Sequence, residues 1–233
     1  MDAVVPLADA AAATGAAVPY DAARVLAFNL YAQGVAFFQS AQALITGAQP
    51  AEALLPLRGL GLIAARFDQI NDPDGPGLGI AMRLALDSAG AAGADDQQTG
   101  QAQSIVRQVA EQGRITIPDT LPDPEGTAVY RSLTSEMRLA ERASDGGYSI
   151  AGLHVQVDGD QAGFHTKRQP DAFTEMIASA CMIAMLNLLK HAATVFGWSL
   201  DATRADELIT KATEINDAAA LEDMALRSND QAR

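Results

Sequence analysis

The stretch VLAFNLYAQGVAFFQSAQALITGAQPA, residues 25–51, contains no charged side chain. Its large apolar residues recur at helical spacing, and the positions between them carry Ala, Asn and Gln in place of Lys or Glu. The apolar residues form two stripes: Val25, Phe28, Val35 and Phe38 in one, and Leu26, Leu30, Phe37 and Leu44 in the other. Together the stripes are wider than the usual apolar face of a surface helix, which predicts a helix buried on two sides.

The residues around this stretch give the helix its ends and a neighbour. Asp21 is suited to cap its first turn, and Gly47 is suited to end it. A second helical pattern follows over residues 52–70, in which Gly59 and Gly61 would permit another helix to approach closely. The N-terminal half is therefore predicted to consist of helix-on-helix layers.

The C-terminal half combines helical patterns with one hairpin signal. Residues 148–157 alternate with period two, and Asp158–Gly159 is the strongest hairpin turn in the chain. With that turn, Val155 pairs with Ala162. The predicted fold class is therefore mainly α, with helix-on-helix layers in the N-terminal half and helices plus a small antiparallel β-hairpin in the C-terminal half.

The same patterns divide the chain into regions. Residues 1–90 are predicted to form a small-residue helical assembly region, and 91–103, which are small and polar, a linker or exposed loop. Residues 104–233 are predicted to form a helical domain with the β-hairpin at about 148–168.

Charge and composition exclude several classes of function. The net charge of −13, with 16 Lys and Arg scattered along the chain, excludes a nucleic-acid partner, which would need a basic surface. The N-terminus has no basic region and does not resemble a secretory signal. The longest apolar run, residues 176–189, is shorter than the roughly 20 residues that span a bilayer. A single cysteine, Cys181, fits a reducing compartment. We predict a cytoplasmic protein without a transmembrane segment.

Candidate chemistry is sparse. The segment NDPDGPG, residues 71–77, resembles a calcium loop, but Arg83 stands where that loop needs Glu, so it is interpreted as a turn. His154 and His165 would share one face of the predicted hairpin, although structural zinc needs four ligands. His191 is interpreted as a polar-face residue. The chain shows no phosphate loop, nucleophile elbow or HExxH motif. No catalytic, cofactor-binding or metal-binding residue is predicted, and the protein is predicted not to be an enzyme.

A family motif runs through residues 9–70. Its matching residues are Asp9, Ala10 and Thr14, then Asn29, Leu30 and Tyr31, then Ala48 and Gln49, and finally Gly61 and Ile70. This segment resembles the small proteins of the R-body (killing-trait) family. The resemblance implies a bacterial structural protein that polymerises into coiled ribbons. The chain departs from the family in its greater length, in the charges of Arg58 and Arg66, and in Pro50–Glu52, which replaces a glutamine run.

These observations predict a non-enzymatic structural protein that self-associates, or assembles with related subunits, through its uncharged helix. Uncharged side chains lose little solvation free energy when a partner covers them. The predicted interaction residues are Asn29, Tyr31, Gln33, Gln39, Gln42 and Gln49. One alternative is an acidic helical binding or regulatory domain whose hairpin contacts a protein partner. Two others are a plain central helix of a single domain and, ranked last, a metal-binding enzyme using His154 and His165.

Overall fold

A computed structural model describes residues 21–91, 96–144, 155–158, 161–164 and 171–231 of the chain. These residues are mainly helical, as predicted. The helices are α1 (Ala22–Thr46), α2 (Leu54–Asn71), α3 (Gly79–Ala91), α4 (Asp96–Gly113), a 3-10 turn (Pro124–Gly126), α5 (Ala128–Ser132), α6 (Thr134–Ser144), α7 (Asp171–Phe196) and α8 (Ala202–Gln231), and the strands are β1 (Val155–Asp158) and β2 (Gln161–Phe164).

Helix α1 begins and ends where its sequence predicts. The Asp21 carboxylate accepts a hydrogen bond from the Ala23 N–H at 3.0 Å, which satisfies one of the free donors of the first turn. At the other end the Gly47 N–H donates to the Ala43 carbonyl. Ala48 then adopts the left-handed conformation, with φ of 58°, and the Gln49 N–H returns to the Leu44 carbonyl at 2.8 Å. These bonds close the helix after 25 residues.

Helix α7 is the centre of the fold. Sixteen of its 26 residues are buried, and it packs against α8 along one side and against α2 and α1 along others. By length and composition it could also cross a membrane, and 72% of its most apolar window is buried inside the fold. Core helices of soluble proteins share that composition, so the helix does not by itself distinguish a soluble protein from a membrane protein.

Small residues bring α1 and α2 close to their neighbours. A Cβ added at Gly34 would collide with the side chain of Leu188, so this glycine permits α1 to approach α7. A Cβ at Gly61 would come within 2.5 Å of the Met137 sulfur, which ties α2 equally closely to α6. The main hydrophobic core therefore contains residues from both halves of the chain.

The predicted fold class is wrong in its C-terminal half, because the β-hairpin predicted at about 148–168 is not seen. Of those residues the structure describes only the short strands β1 and β2. In the part of the chain that the structure describes, the main contacts that build the core are contacts between helices. Strands β1 and β2 contact each other, and in a register other than the predicted one: Val155 lies opposite Phe164, not Ala162. Period-two alternation is a local signal, and an isolated two-stranded hairpin is only marginally stable in water.

Helices α3 and α4 form a smaller packing unit beside α1. Ala23, Met82, Val106 and Ala110 make up its buried core. Helix α4 already begins at Asp96, so much of the segment predicted as a linker or exposed loop, 91–103, is helical. Gly79 opens α3 at a point where the Thr116 carbonyl fills the space that a Cβ would take.

Candidate interaction surface

Helix α1 has one face inside the fold and one face outside it. The inward face is buried and consists of Ala23, Ala27, Tyr31, Gly34, Phe38 and Ala41. The outward face is exposed and consists of Val25, Phe28, Asn29, Ala32, Gln33, Ala36, Phe37, Gln39, Ser40, Ala43 and Thr46. None of these outward residues carries a charge, although the whole chain has a net charge of −13. The exposed set is referred to below as the outward face of α1.

The predicted interaction residues do not all lie on this face. Asn29, Gln33 and Gln39 are exposed on it, and Gln49 is exposed just beyond the end of the helix. Gln42 is half-buried at its edge. Tyr31 lies on the inward face, where it is 5% exposed and its ring packs edge-on against Trp198 with centroids 5.2 Å apart. The structure therefore brings four of the six onto exposed surface.

The outward face is more apolar than its sequence suggests, because its hydroxyls bond to their own helix. The Ser40 hydroxyl donates to the Ala36 carbonyl at 2.8 Å, and the Thr46 hydroxyl donates to the Gln42 carbonyl at 2.8 Å. Each hydroxyl thus donates its proton to a hydrogen bond within α1. The amides of Asn29, Gln33 and Gln39 are the groups on this face that remain suited to bonding across a contact.

Three large apolar side chains stand on the outward face. Phe28 is 47% exposed, Val25 is 41% exposed and Phe37 is 37% exposed. Phe37 leans over α2, since a Cβ at Gly59 would come within 2.6 Å of its ring. In the described part of a single chain, α1 is thus buried less completely than predicted, because one of its sides leaves these three side chains partly uncovered.

A second region combines the polar groups that usually mark a functional site. A cleft of about 730 Å³ lies between the C-terminal end of α2, residues 122–128 and the C-terminal part of α7. Asp68 and Asn71 reach it from α2, His191 from α7, and Arg131 from α5. No local sequence pattern indicates this cleft, since Asp68 and His191 are far apart in the chain. Asp68 and Asn71 do stand three positions apart, on one face of α2.

His191 is the centre of the bonding in this cleft. Its Nε2 lies 3.6 Å from Asp68 Oδ1, and the Asn71 amide donates to the His191 carbonyl at 2.9 Å. The same amide nitrogen lies 3.3 Å from His191 Nδ1, so the neutral ring accepts at Nδ1 and carries its proton on Nε2, towards Asp68. Burial lowers the pKa of His191; the Asp68 carboxylate opposes this effect and Lys190 reinforces it.

The other polar groups of the cleft are also engaged with the protein itself. Asp68 Oδ2 accepts from the Ala128 N–H at 3.0 Å and so fixes the start of α5. Asp123 Oδ1 accepts from the Glu125 N–H at 2.9 Å. The Thr127 hydroxyl donates to the Pro124 carbonyl at 2.7 Å and accepts from the Tyr130 N–H at 3.1 Å. The Asp68 bond therefore ties α2 to the start of α5, and the other bonds fix the turn that precedes α5.

The remaining reactive residues add no chemistry to the cleft. Burial raises the pKa of the Cys181 thiol to about 12, so this sulfur stays protonated inside the core. His154 and His165, the two histidines of the predicted hairpin, lie outside the described residues. Within the described ranges, no three His, Cys, Asp or Glu side chains are grouped so as to hold a metal ion.

Comparison of the chain with protein-family models, with curated proteins and with solved structures found no match. The resemblance of residues 9–70 to the R-body family thus stays a prediction that rests on its own motif.

Proposed function

We propose that this protein is a non-enzymatic assembly protein that associates with further copies of itself through the outward face of α1. The observation that supports this proposal is the exposure of Val25, Phe28 and Phe37 on a helix face without charge. Exposed apolar groups clustered on one face are typical of a protein–protein contact. Covering them would bury the second side of a helix whose composition is apolar on both sides.

Charge argues that the partner is a second copy. A basic partner would be attracted by Asp and Glu, and residues 25–51 contain neither. An acidic chain with a net charge of −13 repels its own copies at most of its surface, and an uncharged face is where two copies approach with the least repulsion. The face is also chemically self-complementary, since its Asn and Gln amides both donate and accept hydrogen bonds.

The proposal is tested by placing a charge on the face and measuring the mass of the particle. Gln39→Glu and Gln39→Lys introduce opposite charges at one exposed position of α1. An unpaired charge costs several kcal/mol when a partner covers it, and each 1.4 kcal/mol weakens association about tenfold. We expect the parent protein to form oligomers by light scattering and both variants to shift to the monomer, with unchanged far-UV circular dichroism.

The matched controls are Gln108→Glu and Gln108→Lys, which place the same charges on an exposed position of α4. Both should leave the oligomer mass unchanged, which separates an effect at α1 from an effect of net charge. A monomeric parent protein, or oligomers of parent size in both Gln39 variants, would contradict the proposal.

A further inference from the structure

We propose that two copies pair through the outward face of α1 with their helices antiparallel, about a two-fold axis beside Ala36. This inference rests on the proposed self-association and names the arrangement of the two helices in it. Four observations carry it: the spacing of the exposed residues, the aromatic side chains beside them, the order of residues along the face, and the charges at the ends of α1.

The exposed residues along the middle of this face alternate in steps of four and three. They are Val25, Asn29, Ala32, Ala36, Gln39, Ala43 and Thr46, and all are exposed. This average step of 3.5 residues keeps one line of side chains in contact with a partner helix along its whole length. The seven residues are called the seam below. The inward face of the same helix is already occupied by α2 and α7.

Large apolar side chains stand beside the seam. Alanines at three inner positions of the seam let a second helix approach closely, near the lower end of the usual 8–10 Å between helix axes. Phe28, on one flank, packs in part against the rings of Phe196 and Trp198 in its own chain, and Phe37, on the other, leans over Gly59. The partner helix would then cover the parts of the two rings that remain exposed. The small residues set the distance between the two helix axes. The exposed parts of the rings supply the apolar area whose burial favours association.

The order of residues along the seam favours the antiparallel arrangement. Read from its two ends, the seam pairs Val25 with Thr46, Asn29 with Ala43 and Ala32 with Gln39, and it leaves Ala36 opposite its own copy. Each pair occurs twice about a two-fold axis. Two β-branched residues meet at each end, and each amide of the seam lies opposite an alanine, so large groups do not oppose one another. Gln33, beside the seam, lies level with Gln39 of the second copy, which permits the two amides to bond across the contact.

Electrostatics favours the same orientation. Antiparallel helices place the positive end of one macrodipole beside the negative end of the other. Arg24 and Asp21, the charged residues at the start of α1, then lie level with the uncharged Gly47–Ala48 and Pro50–Ala51 of the second copy. A parallel pair would instead place Asp21 beside Asp21. A two-fold pair of this kind is closed, so any larger assembly would need a second contact elsewhere on the chain.

Cysteine cross-linking tests the orientation in the full chain. The native Cys181 is buried and does not interfere. Single substitutions are Ala36→Cys, Val25→Cys and Thr46→Cys, with Gln108→Cys on α4 as the control for random collision. After mild oxidation we expect Ala36→Cys to form covalent dimers in high yield, since disulfides need Cα atoms roughly 4.4–6.8 Å apart. Val25→Cys alone should give no more than the control, whereas its mixture with Thr46→Cys should give mixed dimers.

The oligomer mass tests the proposed self-association, and the cross-linking yields test the antiparallel arrangement of the two helices. Light scattering in reducing buffer comes first, and a monomeric parent protein there overturns both. If the parent is oligomeric, self-cross-linking of Val25→Cys as strong as that of Ala36→Cys indicates parallel helices and overturns the inference alone. Cross-linking of Ala36→Cys no greater than that of Gln108→Cys also overturns it. Each variant is checked for unchanged circular dichroism before oxidation.

Discussion

The outward face of α1 and the His191 cleft are opposite kinds of surface. The cleft contains the charged groups, the histidine and the concave shape that usually identify a functional site, yet most of its polar atoms bond to the protein itself. The face of α1 is convex and uncharged, and it leaves large apolar side chains in contact with solvent. The proposed assembly contact therefore lies where apolar contacts are incomplete within one chain, and not where the charged groups are.

The same contrast exists within α1, where two adjacent phenylalanines differ in their surroundings. Phe38 is 3% exposed in the core, while Phe37 is 37% exposed on the outward face. Phe38→Ala should lower the free energy of unfolding by about 3–5 kcal/mol, because it leaves a cavity among α1, α2 and α7. Denaturant unfolding monitored by circular dichroism measures this loss of stability, which should exceed those of Phe37→Ala and Asp68→Ala.

Phe37→Ala is the matched control for that change. It should cost clearly less stability than Phe38→Ala, because part of the ring already faces solvent. It should also weaken self-association, which Phe38→Ala would alter only by unfolding the chain. Equal losses of stability in the two variants would show that the assigned inward and outward faces of α1 are wrong.

Substitutions in the cleft should lower the stability of the fold and leave the oligomer mass unchanged. Asp68→Ala removes the acceptor for the Ala128 N–H and the carboxylate beside His191. Hydrogen bonds to charged groups contribute about 1.5–3 kcal/mol, so we expect a loss near that size in thermal or denaturant unfolding, with oligomer mass unchanged. Asp74→Ala, at an exposed position of the nearby turn, is the control and should cost little. A change of oligomer mass in Asp68→Ala would show that the cleft contributes to assembly.

The cleft should also make stability depend on pH. Burial lowers the folded-state pKa of His191 below its unfolded value of about 6.5, so the unfolded chain binds the proton more readily. The stability contributed by neutral His191 is fully present above about pH 6.5 and is lost as the pH falls towards the folded pKa. Unfolding midpoints at about pH 7.5 and about pH 5.5 should therefore differ more in the parent than in His191→Gln. Equal differences in the two proteins would contradict the role of this imidazole.

Sequence reasoning succeeded where the signal was local. The capping carboxylate of Asp21 and the stop at Gly47 place α1 correctly, because both act within a few residues of the helix ends. It failed where the outcome depended on distant packing. The width of the apolar stripes could not show which side of α1 the chain itself covers. The alternation at 148–157 is a local pattern, and the hairpin that it predicted is not seen. The contact between His191 and Asp68 joins residues over 120 positions apart and leaves no local pattern.

Salt provides the smallest effect and separates an uncharged contact from a charged one. Each copy carries a net charge of −13, so two copies that meet at the outward face of α1 still repel each other through the rest of their surfaces. The screening length falls from about 10 Å at 0.1 M salt to about 3 Å at 1 M, which weakens that repulsion. An interface without ion pairs has no attraction between charges for the salt to weaken. The dissociation constant, measured by sedimentation across this range, should therefore fall by roughly a few-fold. Sodium chloride is the suitable salt, since sulfate would also strengthen apolar contacts. Dissociation that increases with salt would indicate that ion pairs hold the copies together, and the contact would then lie on a charged surface instead of on α1.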